Sequence, residues 1–228
     1  MRRLAPALGQ LSARSETSVL KSFMLGMIQL TSAVIALVLT VYLIPNEIER
    51  RTIYTILSKP VRRWQFLLGK YVGAVLALAL MMGLMTGIQL FVYYLKNSQA
   101  DLDLAKAPLL FFVQMCLLAA VAMFFSTFVA PLVNFFLSGG IYLVGSLLNP
   151  LVTTLSEGKD GGLTKVGVKA LSWLIPNFAT FNVQNPIINP QQVIQNERNY
   201  YISAAVYGVF YISLLLIGGI LVFDRREV

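Results

Sequence analysis

Five stretches of this chain are too apolar and too poor in charge to live in water. Residues 22–44, 66–95, 108–129, 131–149 and 200–223 contain no Asp, Glu, Lys or Arg apart from Lys70, which lies near the start of its run. A helix rises ~1.5 Å per residue, so about 20 such residues cross the hydrocarbon core of a bilayer. Only 12% of the residues are charged and 57% are hydrophobic, where a soluble domain carries about 25% charged residues. The expected fold is all-α. It is a single polytopic membrane domain over 1–228, a helical bundle with five predicted transmembrane helices.

The boundaries follow from local breakers. The apolar run 108–153 is too long for one crossing. Ala130-Pro131 divides it into a tight hairpin, with Pro131 at a first helical position. Asn149-Pro150 is expected to end the second arm. The long helix after Arg63 carries Gly69, Gly73, Gly83 and Gly87 on one stripe at ~100° per residue. Such a stripe predicts close helix packing. Residues 151–199 form the longest loop. Within it, 163–174 is weakly amphipathic and suits an extracytoplasmic interfacial helix. The segment after it, with Pro176, Pro186 and Pro190, should be irregular.

Between the first two spans lies the densest patch of charge, PNEIERRTIYTILSKPVRRW. Asn46 can cap a short helix there, with Glu47 and Glu49 in its first turn near the positive dipole end. Ile48, Thr52 and Ile56 repeat at i, i+4 and i+8, a narrow apolar stripe on a charged helix. Ser58-Lys59-Pro60 stops it, and Trp64 suits a membrane interface. The physical reading is an amphipathic helix at a membrane face.

The residue order here resembles the cytoplasmic loop of type-2 ABC transporter permeases. It is carried by Glu47, Glu49 and Thr52, then Leu57-Ser58-Lys59-Pro60-Val61 with Arg63, then Phe66-Leu67-Leu68-Gly69-Lys70 and Gly73. The chain is most similar to the branch associated with multicopper-enzyme maturation. The resemblance implies that loop 45–65 is a coupling loop, whose helix docks on a separate ATPase subunit. Glu47, Glu49, Arg50, Arg51, Thr52, Ser58, Lys59, Pro60 and Arg63 would be the docking residues. It also implies a second permease subunit, in a homo- or heterodimer, and a bacterial plasma (inner) membrane setting. ATP and Mg would belong to the partner ATPase, with no cofactor in this chain.

The charges set orientation only weakly. With loop 45–65 inside, eight basic residues are cytoplasmic and ten are not, so the dense central run decides. The net charge of +8 is spread over loops flanking spans, which points to anionic lipid and topology rather than to nucleic acid. Family permeases usually have six spans, and the five here match the second to the sixth. Residues 1–21, with Arg2, Arg3, Arg14 and Lys21, are then expected to be the remnant of a first extracytoplasmic loop in a truncated chain.

The chemistry absent from the spans narrows the function. Coupled carriers place carboxylates or histidines in the membrane, and intramembrane proteases need a Ser–His pair or two aspartates. The chain has no histidine, and its one cysteine, Cys116, lies in an apolar run. No metal site is expected. The G-x-x-x-x-G-K-[ST] phosphate loop is missing, so energy for active transport must come from another subunit. Three classes remain: a permease coupled to an ATPase, a passive channel or uncoupled carrier, and a membrane scaffold for assembly of another complex. The ordered docking loop favours the first. The spans offer only amides and hydroxyls as path-lining candidates: Gln29, Ser32, Thr40, Gln89, Gln114 and Asn134. Gln29, Ser32 and Thr40 share a face of the first span, suited to interhelical hydrogen bonds and expected to lie near the subunit boundary.

Overall fold

The computed structural model describes residues 4–43, 45, 63–97, 102–157, 175–182 and 196–224. These residues fold as helices α1 (Leu4–Val41), α2 (Arg63–Asn97), α3 (Lys106–Ser126), α4 (Pro131–Glu157) and α5 (Glu197–Asp224), with short 3-10 turns at Leu102–Ala105 and Phe178–Phe181. No strand occurs among the described residues. Ser18–Val41, Trp64–Lys96, Lys106–Ser126 and Glu197–Asp224 are each long and apolar enough to cross a membrane, and Pro131–Leu147 is a shorter apolar helix. The protein is a multi-pass helical membrane protein. Loop residues 46–62, most of loop 151–199 and the expected interfacial helix 163–174 lie outside the described residues.

Helix α3 is the axis of the bundle. Every residue from Gln114 to Met123 is buried, so this helix is apolar and covered on all sides. Helices α1, α2, α4 and α5 pack around it. Ala119, Ala120 and Ala122 are fully buried, and such small residues let neighbouring backbones come close. Helix α2 is the opposite case. Leu67, Tyr71, Ala74, Leu78, Met82, Gln89 and Tyr93 are buried, and at ~100° per residue they form one narrow stripe.

Three boundaries differ from the sequence expectation. Residues 4–21 are helical and continue α1 rather than forming a loop. Pro6 falls in the first turn, where backbone N–H groups have no helical partner to lose. Helix α4 does not end at Asn149-Pro150 but runs to Glu157. Pro150 lacks the N–H that would reach the Ser146 carbonyl, yet spanning helices absorb such a loss. Helix α3 stops at Ser126, and a compact turn follows in which Phe128 and Val129 both donate to the Phe125 carbonyl. Pro131 then opens α4 as its first residue.

The glycine stripe of α2 also differs from expectation. A Cβ added at Gly69, Gly73, Gly83 or Gly87 would meet nothing within 4 Å. In this chain that stripe faces outward, opposite the buried stripe of α2. The glycines that admit close neighbours are elsewhere. A Cβ at Gly145 would lie 2.6 Å from the Phe178 ring and from the Pro176 carbonyl oxygen, and one at Gly208 would lie 2.6 Å from Val113.

Candidate functional site: a hydrogen-bonded seam inside the bundle

The network is centred on Gln114, fully buried in the middle of α3. Its Nε2 donates to the Phe178 carbonyl at 3.0 Å. Its Oε1 accepts from Gln29 Nε2 of α1 at 3.3 Å. The Tyr142 ring of α4 packs edge-on against the Phe178 ring, with centroids 5.3 Å apart. One uncharged chain of contacts thus joins α1, α3, α4 and the Phe178–Phe181 turn.

That turn was not legible as part of the bundle. Residues 175–182 fold inward, with Phe178 and Phe181 fully buried. Irregular backbone survives inside a membrane bundle only where its polar groups are satisfied, and here side chains do this. Asn177 Oδ1 accepts from the Ala179 N–H at 3.0 Å. The Asn177 N–H donates to the Tyr207 hydroxyl at 2.8 Å. The Tyr200 hydroxyl donates to the Thr180 carbonyl at 2.6 Å. Both tyrosines belong to α5, whose start is set by Asn196 in the left-handed region at φ 61°. Asparagine tolerates that conformation better than most residues. The Asn196 carbonyl accepts from the Asn199 and Tyr200 N–H groups.

A second seam ties α3 to α4. Asn134 Nδ2 donates to the Ala122 carbonyl at 2.9 Å, and the Ser138 hydroxyl donates to Asn134 Oδ1 at 2.8 Å. On the other side of α3, the Tyr71 hydroxyl of α2 donates to the Cys116 carbonyl at 2.9 Å. Sequence reasoning missed Ser138, Tyr142 and Ser146. Their signal was present: Asn134, Ser138, Tyr142 and Ser146 repeat every four residues, one polar row on α4.

Of the six path-lining candidates, the structure joins Gln29 to Gln114 and places Asn134 on the neighbouring seam. Ser32 donates to the Gln29 carbonyl at 3.1 Å and Thr40 to the Ala36 carbonyl at 2.6 Å, so both are satisfied within α1. Both are also buried. The Gln29/Ser32/Thr40 face therefore turns inward toward α3 rather than outward to a subunit boundary. Gln89 stands apart: it is buried on α2, and neither of its amide atoms has a hydrogen-bond partner. The docking candidates Glu47, Glu49, Arg50, Arg51, Thr52, Ser58, Lys59 and Pro60 lie outside the described residues. Arg63 opens α2.

The family model for the ABC-2 family transporter proteins matches residues 2–228, and the chain belongs to that family. It is an ABC transporter permease, a membrane component of a transporter whose family implies an ATP-binding partner. None of the curated proteins compared with the chain matches it.

Proposed function

We propose that this chain is the membrane-spanning subunit of an ABC exporter, driven by ATP hydrolysed in a separate subunit docked on loop 45–65. The observation that carries the reading is the family match over residues 2–228. The charged, proline-stopped loop between the first two spans supports it. The chain supplies no catalytic group and no cofactor. ATP and Mg sit in the partner, and the setting is a bacterial plasma membrane.

Docking runs through Glu47, Glu49, Arg50, Arg51, Thr52, Ser58, Lys59, Pro60 and Arg63. A second permease subunit completes the translocation path, in a homo- or heterodimer. With the Gln29/Ser32/Thr40 face turned inward, the outward glycine stripe of α2 is the better surface for that second subunit. Glycines at such spacing let two helices approach closely.

The test is co-expression of the chain with ATP-binding-cassette ATPase subunits from the same genome, followed by purification and ATPase measurement in vesicles. The expected result is a stable complex in which Arg51→Glu uncouples hydrolysis from transport while leaving the chain in the membrane. Complex formation and coupling unchanged by Arg51→Glu would refute the docking assignment. Absence of any ATPase partner would refute the exporter reading.

A further inference from the structure

A groove of about 320 Å³ runs between α1 and α2, lined by Phe23, Met24, Met27, Thr31, Met85 and Gln89 among others. The volume falls at the lower end of the range for small-ligand sites. Its lip is open to lipid: Phe23 is 65% exposed and Ile88 63%. Its floor contains Gln89, 4% exposed, whose Nε2 and Oε1 both lack a hydrogen-bond partner. Other buried amides of the bundle, on Gln114 and Asn134, are bonded. An unpaired buried amide is costly, so its retention at the floor of a groove points to a group that arrives from outside.

The position along the helices says what that group is. Lys21 Nζ sits 5.3 Å from the centre of the Tyr93 ring, which forms a cationic and aromatic ledge at one end of the groove. Such residues mark the level of lipid headgroups. Gln89 is one turn below Tyr93, ~6 Å at ~1.5 Å per residue. Thr31, ten residues on from Lys21, lies ~15 Å below it. A polar head at the ledge, a carbonyl or hydroxyl a few ångström deeper and an apolar chain beyond is the layout of an amphiphile.

We propose that the α1–α2 groove binds an amphiphile whose ester carbonyl or hydroxyl pairs with the Gln89 amide while its chain fills the groove. The amide is sealed in this arrangement, so α1 and α2 part slightly to admit the group. Met24, Met27 and Met85 are side chains that re-pack easily. A second copy of the chain is the weaker occupant. The outward glycine stripe of α2, which would accept it, lies on the face opposite Gln89, so a dimer through that stripe leaves the groove free.

The experiment uses the full chain in phosphatidylcholine nanodiscs with two photoactivatable probes, a monoacylglycerol and a plain hydrocarbon of equal chain length, each carrying a terminal diazirine. The expected result is labelling of Met24, Met27 and Met85 by the monoacylglycerol at about tenfold lower concentration than by the hydrocarbon, the worth of one hydrogen bond. Gln89→Leu, which keeps the volume and removes the unpaired amide, should fold at least as well and abolish that preference. Native mass spectrometry of the same discs separates the sources: a retained diacyl lipid marks bilayer lipid as the occupant, and monoacylglycerol alone marks a free amphiphile. Both results support the site. Equal labelling by the two probes, labelling spread over the glycine face, or a cross-link from the groove to a second copy would overturn it. None of these readouts requires the ATPase partner, so they stand or fall separately from the exporter reading.

Discussion

Gln114 and Gln89 are the same side chain, both buried in long apolar helices, and they have opposite surroundings. Gln114 lies on α3, the covered axis, and holds a partner on each amide atom. Gln89 lies on the inner stripe of α2, whose other face looks outward, and holds none. Apolar 18-residue stretches of the two helices are nearly equal in mean hydropathy. Hydropathy therefore says that a helix is in the membrane, not whether it is core or rim. What separates the pair is the set of polar groups the fold brings within reach, which at Gln114 includes the Phe178 carbonyl of the inward turn.

The strongest way to break the contrast is to take the amide from Gln114. Gln114→Leu leaves the Phe178 carbonyl buried without its donor and deprives Gln29 of one acceptor. The expected cost is about 2–3 kcal/mol, read as a lower unfolding midpoint in detergent. Hydrogen exchange should rise at residues 177–182, because the turn loses its anchor to α3. Unchanged protection there would mean that Phe178 and Phe181 hold the turn by packing alone.

A second test compares glycines in place of glutamines. Gly145→Ala drives a methyl into the Phe178 ring and the Pro176 carbonyl, and the carbonyl belongs to backbone that cannot rotate away. The expected loss is about 1–2 kcal/mol. Gly83→Ala, on the outward stripe of α2, meets nothing within 4 Å and should leave the single chain as stable as before. A loss of dimer at Gly83→Ala, with the monomer unaffected, would sharpen the case for that stripe as the subunit boundary.

Sequence made the spans legible because each is a length of residues uncharged but for Lys70, and Pro131 marked the α3–α4 turn because its missing N–H suits a first position. It did not reveal which face of α2 turns inward. The glycine stripe and, apart from Gln89, the Leu67-to-Tyr93 stripe are both largely apolar, and lipid accepts either. It also did not place Phe178 and Phe181. They sit in a stretch with the composition of a loop, and burial of that backbone depends on Tyr200, Tyr207 and Gln114, distant in sequence. Pro150 was misleading for a related reason, since a helix inside a bundle tolerates a proline that would end one in water. The hydrogen-bonding residues themselves were visible, but their partners were not.

Gln89→Leu is expected to act in the reverse direction to Gln114→Leu. With no partner to lose, the change removes an unpaired amide and should stabilise the ligand-free chain by about 1 kcal/mol. Circular dichroism through the unfolding transition checks this. A destabilised Gln89→Leu variant would show that the amide already has a partner in the membrane-embedded protein, and the contrast with Gln114 would fail.

The smallest effect is expected at the bundle's edge, where Lys106 Nζ lies 3.2 Å from Glu197 Oε2. The pair bridges the start of α3 to the start of α5, and its side chains are 41% and 55% exposed. Ion pairs that open to solvent contribute about 0.2–1 kcal/mol, since water screens the attraction and two long side chains must be held still. Glu197 also sits in the first turn of α5, where a carboxylate gains from the helix dipole whether or not Lys106 is present. Lys106→Met, Glu197→Gln and the double variant therefore form a cycle that isolates the pair. The coupling should be about 0.5 kcal/mol or less and should fade as salt is raised. A coupling above about 2 kcal/mol that resists salt would place this end of α3 away from water, inside the low-dielectric region. The span of α3 in the bilayer would then begin before Lys106.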